Sequence, residues 1–369
     1  MRIGIDGHSL EGQRTGVGRV LFNLLWQWAA EKQIEFFLYF KTEIPDDLPQ
    51  TKNFHFRLTG QTSDFLFNQL TFPWVAKKDR CDWLFCPAYQ IPLFSTKKRA
   101  VIIHDIIYRA RPDWYNWHSF LEKIIYSYIF KKSARQARVI IVPSEATKKE
   151  IMRFYGVPSE KIKKCRWAAD DSFQKQAISL AKQELIRRRY QIGGKFILTV
   201  GSLFYRRHPR DLIRAFARFA RKNNYQLLIV GQDYSGQNID GLIAAANKKL
   251  KCRAIVRQDH CRSDHDLAAL YNLAQFFIYL SDYEGFGLPV LEAMRCGLPV
   301  ITSAKSSLLE IAGRSAFLVK ENSTAAILAA LRQVAADSKL QTNLAVSGQK
   351  WAGEFSWAKA SKCILQSLC

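Results

Sequence analysis

Residues 281–303, SDYEGFGLPVLEAMRCGLPVITS, determine which fold the sequence predicts. The five residues before them are all apolar, as in a strand buried on both faces of a parallel sheet. Gly285 and Gly287 then permit a tight turn. Pro289 suits the first position of a helix, Gly297 suits its end, and a second apolar run follows. Strand, glycine loop, helix and strand in this order form one unit of a doubly wound α/β sheet.

The same stretch carries two carboxylates, Glu284 in the loop and Glu292 in the predicted helix. Backbone amides of such a loop and helix N-terminus bind phosphate at the carboxyl edge of the sheet. Carboxylates repel phosphate, and the vicinal hydroxyls of a sugar are a better partner because they supply two hydrogen-bond donors. A ligand that contains both phosphates and sugars is a nucleotide sugar, so the stretch predicts a site for one. The alternative is an ordinary strand–helix turn with two solvated glutamates.

Seven residues separate Glu284 from Glu292 within EGFGLPVLEAMRCGLPV, and this motif closely resembles the signature of retaining glycosyltransferases of the family-4 type. The resemblance implies the α/β GT-B fold, with two Rossmann-like, doubly wound domains facing a cleft. It implies that Glu284 contacts the donor sugar and that Glu292 holds the ribose hydroxyls. It also places donor-binding groups at Gly285, Phe286, Gly287 and Leu288.

The N-terminal segment TGVGRV resembles the family's first glycine loop, whose glycines approach donor and acceptor across the cleft. The resemblance therefore assigns Gly16 and Gly18 to the donor site, and a helix is predicted over residues 20–28. Neither GxGxxG nor a Walker loop is present, which disfavours a dinucleotide or ATP site. The alternative is a plain strand–helix turn.

His104 follows an apolar strand, and a histidine at the carboxyl end of a parallel strand lies at the catalytic edge of an α/β sheet. The family has the same strand–His–Asp pattern facing the donor sugar. A neutral His104 would hydrogen-bond a sugar hydroxyl. The alternative is a histidine that only closes the strand.

A further strand ends at Gly201 and Ser202, and Arg206 and Arg207 follow where the family has an arginine and a lysine. The family lysine grips the donor diphosphate, and Arg207 replaces it here. Arginine also binds phosphate, with a different reach and geometry. With backbone amides near Leu288, these arginines would stabilise the leaving diphosphate without a metal. The resemblance thus predicts His104, Arg207 and Glu284 as catalytic residues; the alternative for the arginines is solvated charge.

The chain of 369 residues suits two domains. We predict an N-terminal acceptor-binding domain over residues 1–170, a nucleotide-sugar domain over 171–350, and a C-terminal helix over 351–369 that crosses back to the N-terminal domain. The resemblance is weakest in residues 34–94, where the acceptor is expected to bind.

The eight cysteines show no paired CxxC spacing, which argues against a zinc or disulfide framework. Reduced thiols in a cytoplasmic enzyme are therefore expected. No apolar run approaches the ~18 residues of a membrane span. The N-terminus begins directly as a strand, which predicts that no signal peptide is present.

The net charge of +23 requires an anionic partner, either a membrane surface or nucleic acid. Residues 114–138 interleave aromatic and basic side chains, as in a helix that lies on a membrane. The alternative for this segment is a core face with a solvated basic back. No helix-turn-helix or RRM motif supports nucleic-acid binding.

These features predict a metal-independent, cofactor-free enzyme of surface-polysaccharide or lipopolysaccharide biosynthesis, resembling mannosyltransferases. It would move a hexose, mannose by this resemblance, from a GDP- or UDP-linked donor to a lipid-linked or lipopolysaccharide-type saccharide. It would be cytoplasmic and peripheral to the inner face of the cytoplasmic membrane. Two alternatives stay open, a nucleotide-sugar 2-epimerase of the same fold and a basic nucleic-acid-binding protein.

Overall fold

The computed structural model describes residues 1–12, 14, 16–115, 117 and 119–369. These residues form two compact units. Unit 1 contains Met1–Trp167 and Ser356–Cys369, and unit 2 contains Ala168–Phe355. Thr15 of the TGVGRV motif, and Asn116 and His118 of the aromatic–basic segment, lie outside the described residues.

Unit 1 is built on a parallel sheet of seven strands in the order β3-β2-β1-β4-β5-β6-β7. Their bounds are β1 Arg2–Asp6, β2 Glu35–Phe40, β3 Phe54–Leu58, β4 Trp83–Cys86, β5 Lys98–Ile102, β6 Val139–Val142 and β7 Ile162–Lys164. The chain changes direction across the sheet between β1 and β4. In open α/β sheets, ligands bind beyond the carboxyl ends of the strands at such a switch point.

Unit 2 contains a second parallel sheet, of six strands in the order β10-β9-β8-β11-β12-β13. Their bounds are β8 Phe196–Val200, β9 Gln226–Val230, β10 Ile255–Gln258, β11 Phe276–Tyr279, β12 Val300–Ser303 and β13 Phe317–Val319. The switch point of this sheet lies between β8 and β11.

Helices connect the strands and cover the two sheets. They are α1 Gly16–Trp28, α2 Asp64–Leu66, α3 Phe72–Lys78, α4 Ile107–Ala110, α5 Phe120–Gln136, α6 Glu145–Tyr155, α7 Leu180–Arg189, α8 Pro209–Ala220, α9 Ile239–Leu250, α10 Asp264–Leu273, α11 Leu288–Arg295, α12 Ser306–Ala312, α13 Thr324–Ala336, α14 Ser338–Ala352 and α15 Trp357–Leu368. A π-helical turn, Phe67–Thr71, joins α2 to α3.

The predicted α/β architecture is confirmed, since both sheets are parallel and each carries helices between its strands. Helix α15 belongs to unit 1, where it contacts α1, β6 and β7. Within the same unit, the rings of Trp167 and Trp357 stack with centroids 6.1 Å apart.

Some details differ from the sequence prediction. Helix α1 begins at Gly16 instead of residue 20, so the glycine segment forms its first turn. Strand β7, which was not predicted, follows β6 and pairs with its edge. The short, lysine-containing sequence of β7 gives no apolar run that would have revealed a strand.

The prediction that the cysteines are all reduced is wrong for one pair. Cys165 and Cys363 form a disulfide within unit 1, across 198 residues of sequence. Helix α15 packs beside β7 and brings Cys363 next to Cys165, which no local spacing could show. The other six cysteines are free thiols. Cysteine usage therefore no longer supports the predicted cytoplasmic location.

Within the described ranges, no helix combines the length and the apolar character that crossing a membrane requires.

Candidate active site

The switch point of unit 2 brings together two loops, one after β8 and one after β11. Residues 201–208 form the first loop and residues 280–287 form the second. Together they contain most of the predicted donor-binding residues, namely Gly201, Ser202, Arg206, Arg207, Glu284, Gly285, Phe286 and Gly287. The sequence prediction and the topology of the sheet therefore indicate the same edge of unit 2.

Arg207 and Glu284, predicted as catalytic residues, are bound to each other. Arg207 donates from Nε to Glu284 Oε1 at 2.8 Å and from Nη2 to Oε2 at 3.2 Å. Its Nη1 donates to the Ser202 carbonyl at 2.8 Å. Both side chains are largely buried, and the guanidinium also lies 5.0 Å from the ring centroid of Tyr279. This bidentate pair holds the two loops together and fixes the carboxylate.

The pair keeps both side chains charged. Burial raises the pKa of Glu284, but the charge and hydrogen bonds of Arg207 outweigh it and hold that pKa below its ordinary value. Burial lowers the pKa of Arg207, yet Glu284 more than offsets this and raises it above its ordinary value. Glu284 is thus a weak base, suited to accepting hydrogen bonds from hydroxyls.

Gly201 is required by this geometry. Its φ of +115° lies outside the range that other residues favour, and a Cβ there would lie 2.6 Å from Arg207 Nη1. The Arg207 guanidinium therefore occupies space that only glycine leaves open.

Further basic side chains surround residues 281–284. Arg206 Nε donates to the Tyr283 carbonyl at 3.2 Å. His208 Nε2 and Lys305 Nζ lie 2.7 Å and 2.6 Å from the two oxygens of Asp282. With Arg207, four basic residues thus contact a segment that carries two carboxylates. Of these, the sequence argument missed His208 and Lys305 as functional candidates.

The backbone of the second loop is held from α12. Ser307 Oγ lies 2.8 Å from the carbonyls of both Glu284 and Phe286, and Ser306 Oγ lies 2.9 Å from the Glu284 carbonyl. Neither serine was predicted as a site residue. They fix the turn that precedes α11.

Helix α11 begins at Leu288, after the cap residue Gly287, and no side chain caps its N-terminus. An open helix N-terminus attracts anions because its amides lack intrahelical partners. Phe286, predicted for the donor site, is buried and makes an edge contact with Phe355. Its observed role is packing of the loop.

Glu292 lies one turn further along α11 and is buried. Its Oε2 accepts a hydrogen bond from the Tyr271 hydroxyl at 2.9 Å. Burial raises the pKa of Tyr271, and the negative charge of Glu292 raises it further. Tyr271 therefore stays a neutral donor that orients Glu292, and sequence reasoning did not find it.

Three predicted site residues belong to unit 1. His104 follows β5, and its Nε2 lies 3.0 Å from the Pro87 carbonyl. Burial lowers the pKa of His104 to about 4, against the smaller opposing effect of that hydrogen bond. His104 is therefore neutral at pH 7, with Nε2–H donating to Pro87 and Nδ1 left as an acceptor.

Gly16 and Gly18 lie in the first turn of α1. A Cβ on Gly18 would lie 2.2 Å from the Ser9 carbonyl, so the close approach of α1 to residues 8–10 requires glycine. A Cβ on Gly16 would meet nothing within 4 Å, so this position faces open space.

Two family models match most of the chain. The model described as glycosyl transferases group 1 matches residues 182–351, and the model described as glycosyltransferase family 4 matches residues 14–164. The chain is a family-4 glycosyltransferase.

The glycosyltransferase is 26% identical to the O-antigen chain mannosyltransferase B of Escherichia coli, over 96% of its own length and 95% of that protein. A glycosyltransferase from Rickettsia africae has a similar structure, with a TM-score of 0.76 at 16% identity, covering 99% of this chain and 96% of the other. Anabaena HepE in complex with UDP-glucose gives a TM-score of 0.75 at 16% identity, covering 100% and 99%. These likenesses confirm the predicted GT-B fold.

The glycosyltransferase thus presents, at one edge of unit 2, a charged Glu284, a cluster of cations and an uncapped helix N-terminus. Cations and amides can bind phosphates, and the fixed carboxylate can bind hydroxyls. Within the described ranges, no group of three or more His, Cys, Asp or Glu side chains has the arrangement of a metal site.

Proposed function

We propose that this glycosyltransferase transfers a mannosyl residue, with retention of configuration, from a nucleoside-diphosphate sugar to a lipid-linked or lipopolysaccharide-type saccharide. The observation that carries this proposal is the Arg207–Glu284 pair beside the open N-terminus of α11. The two adjoining loops, residues 201–208 and 280–287, provide a carboxylate that can bind sugar hydroxyls and cations that can bind phosphate.

The departing diphosphate gains negative charge as the glycosidic bond breaks. Arg206, Arg207 and Lys305 contact residues 281–284, and the amides that begin α11 lie at the end of the same loop. Preorganised donors of this kind stabilise developing charge without rearranging during the reaction. The proposal therefore includes metal-independent transfer.

Retention requires the acceptor oxygen to bond to the anomeric carbon on the face that the diphosphate leaves. The acceptor hydroxyl must lose its proton in this step. Glu284 is a poor base because Arg207 lowers its pKa. We assign the proton to the oxygen of the departing diphosphate, which becomes more basic as its bond to carbon breaks. Glu284 orients the sugar, and Glu292 holds the ribose.

The choice of mannose and of an O-antigen-type acceptor rests on the relative that matches nearly the whole chain, an O-antigen chain mannosyltransferase. GDP-mannose is accordingly the proposed donor. UDP-glucose, present in the HepE structure, is the alternative to compare with it.

The proposed membrane contact is the N-terminal half of α5. Phe120, Leu121, Ile124 and Tyr128 of this helix are each more than half exposed, and Ile125 is also exposed. These positions lie on one face of the helix. Lys123, Lys131 and Lys132 lie on the same helix. An exposed apolar face with lysines beside it matches an interfacial helix, which buries apolar side chains and attracts anionic lipids.

The structure also changes which aromatic residues we expect to insert. Tyr115 and Trp117 pack against each other and against Tyr108, with centroid distances of 4.7 to 6.1 Å. These contacts occupy the rings of Tyr115 and Trp117. Phe120 and Tyr128 are the exposed aromatic residues of the helix itself.

A thermal-shift screen tests the proposed donor. The panel contains GDP-mannose, UDP-glucose, GDP and UDP, each added to the full chain. We expect GDP-mannose to raise the melting temperature most, because a ligand that binds only the folded state stabilises it. No shift with any member would reject a nucleotide-sugar site, and a larger shift with UDP-glucose would reject mannose.

A further inference from the structure

The carboxyl end of β1 carries a second polar arrangement, separate from unit 2. Asp6 is the last residue of β1 and is 1% exposed. Its Oδ1 lies 2.5 Å from His8 Nδ1 and accepts the His8 backbone amide at 3.2 Å. Its Oδ2 accepts Asn68 Nδ2 at 2.9 Å. Both carboxylate oxygens are therefore occupied.

The π-helical turn Phe67–Thr71 extends this network. Asn68 Oδ1 accepts Gln69 Nε2 at 2.8 Å, and both side chains are buried. Gln69 also donates to the Ile91 carbonyl at 3.0 Å and accepts the Leu93 amide at 2.9 Å. A chain of hydrogen bonds thus connects the loop after β1 to the loop after β4. π-helical turns are rare and often occur at functional sites.

These two loops flank the switch point of unit 1, which lies between β1 and β4. That point is where an open α/β sheet binds its ligand. Burying a carboxylate is costly unless hydrogen bonds and an opposite charge compensate it. Here the buried carboxylate holds one ring, His8, at the expected ligand position.

His8 keeps one polar atom that the network does not use. Its side chain is 27% exposed, and no described residue hydrogen-bonds its Nε2. A carboxylate that binds Nδ1–H fixes the tautomer and orientation of the ring, so the neutral ring, above the pKa of His8, presents Nε2 as an acceptor. The ring of Phe67 lies beside it, with centroids 6.2 Å apart.

The surrounding charges select a neutral ligand. Asp6, and to a smaller extent Asp64, raise the pKa of His8 above its ordinary value, although burial and Lys41 oppose them. Lys41 is itself ion-paired with Asp64. Two carboxylates against one paired lysine disfavour a phosphate. A hydroxyl has no charge and can donate to Nε2.

We propose that His8 Nε2 accepts a hydrogen bond from a hydroxyl of the acceptor saccharide, and that Asp6, Asn68 and Gln69 position His8 for this contact. The proposal rests on the proposed glycosyl transfer, because it names the binding group for that reaction's second substrate. His8 would orient the attacking sugar while the diphosphate takes the proton. The three supporting residues act through His8 and do not touch substrate.

Steady-state kinetics with GDP-mannose and octyl glycosides of mannose, glucose, galactose and N-acetylglucosamine test this role. For the glycoside that wild type uses best, we expect His8→Ala to lower kcat/KM by about 10- to 100-fold, the loss of one well-placed hydrogen bond to an oriented group. The Kd for GDP-mannose should change less than about twofold, because the carboxylates and cations proposed to bind the donor lie in unit 2. His8→Gln, which keeps an acceptor, should recover part of the loss. His55→Ala, a histidine on β3, is the matched control.

The pH profile separates positioning from a merely structural role. Protonated His8 cannot accept a hydrogen bond at Nε2, so kcat/KM for the glycoside should fall below the pKa of His8. Asp6→Asn removes the charge that raises this pKa, and the acid limb should then move to lower pH. Melting temperatures verify that each variant is folded.

The outcomes distinguish the two proposals. If wild type transfers mannose and folded His8→Ala has unchanged kcat/KM for the glycoside, the His8 proposal is wrong and the proposed function stands. Equal losses in donor affinity and glycoside use would also overturn it. If wild type binds no nucleotide sugar, or binds GDP-mannose but transfers to no glycoside of the panel, both the proposed function and the His8 assignment are wrong.

Discussion

Glu292→Gln tests the assignment of the ribose site. The substitution keeps the volume of a buried side chain and an oxygen that can accept from Tyr271. It removes the negative charge. Hydrogen bonds to charged groups contribute about 1.5–3 kcal/mol, so losing the charged acceptor of the ribose hydroxyls should raise the Kd for the nucleotide by roughly 10- to 150-fold.

Tyr271→Phe is the companion variant. It leaves the Glu292 charge in place and removes only the hydroxyl that orients it. The expected effect is smaller, about two- to tenfold, because one hydrogen bond is lost while the charged acceptor stays. Glu184→Gln, at an exposed position of α7 that belongs to neither loop, removes a similar charge and should leave affinity unchanged.

Isothermal titration calorimetry with GDP and UDP gives the required Kd values, and circular dichroism melting verifies that each variant is folded. The predicted order of affinity is wild type, then Tyr271→Phe, then Glu292→Gln. A folded Glu292→Gln protein that binds the nucleotide as tightly as wild type would remove Glu292 from the site. An equal loss in Glu184→Gln would show that the effect comes from net charge.

Three other predictions concern the ion pair, the metal and the membrane. Arg207→Met leaves Glu284 charged and largely buried without its partner. We therefore expect the unfolding free energy to fall by about 3 kcal/mol and glycosyl transfer to be lost. A melting temperature equal to that of wild type would contradict the structural role of the pair. Transfer should continue in EDTA, because arginines, lysine and backbone amides stabilise the leaving group; complete loss that Mg²⁺ or Mn²⁺ restores would disprove metal independence. The protein should co-sediment with anionic liposomes at low salt and be released at high salt. Two sets of substitutions in α5 should weaken liposome binding without altering nucleotide affinity: Leu121→Asp with Ile124→Asp, or charge reversal at Lys131 and Lys132. The control Leu180→Asp on α7 should not weaken it. Unchanged sedimentation of the α5 variants would exclude α5 as the membrane contact.

Arg135 is left out of the charge reversal, although it follows the same aromatic run of α5 as Lys131 and Lys132. In the structure, Arg135 Nε donates to the Tyr155 carbonyl at 2.9 Å, so its substitution would also disturb the packing of α6. Helical periodicity indicates which residues share a face, but it does not show which of them bind backbone groups of another element.

The sequence predicted the α/β fold well because parallel strands such as β8 and β11 are short, largely apolar runs, each followed by a loop that contains glycine. It failed at β3 and β7, whose charged or polar residues lie at the edges of the sheet. Edge strands have one neighbour only, so their sequences need not be apolar throughout.

In the candidate site, the motif predicted Glu284 and Arg207 but not that they bind each other. Their 77-residue separation is bridged only because β8 and β11 are neighbours in the sheet. Tyr271, Lys305 and the Asp6–His8 pair were missed for a similar reason. Each depends on contacts between segments that are distant in sequence. None belongs to a sequence motif whose residue spacing indicates a function.

Retaining glycosyl transfer is the central claim, and proton NMR of the reaction tests it most directly. The protein, GDP-mannose and the octyl glycoside that it uses best are followed from the start of the reaction, and the anomeric signals of the product give the configuration of the new glycosidic bond. Retention predicts a new α-mannosidic bond, formed as GDP appears in equal amount. A β-linked product would contradict retention, and GDP released with free mannose alone would contradict transfer to a saccharide.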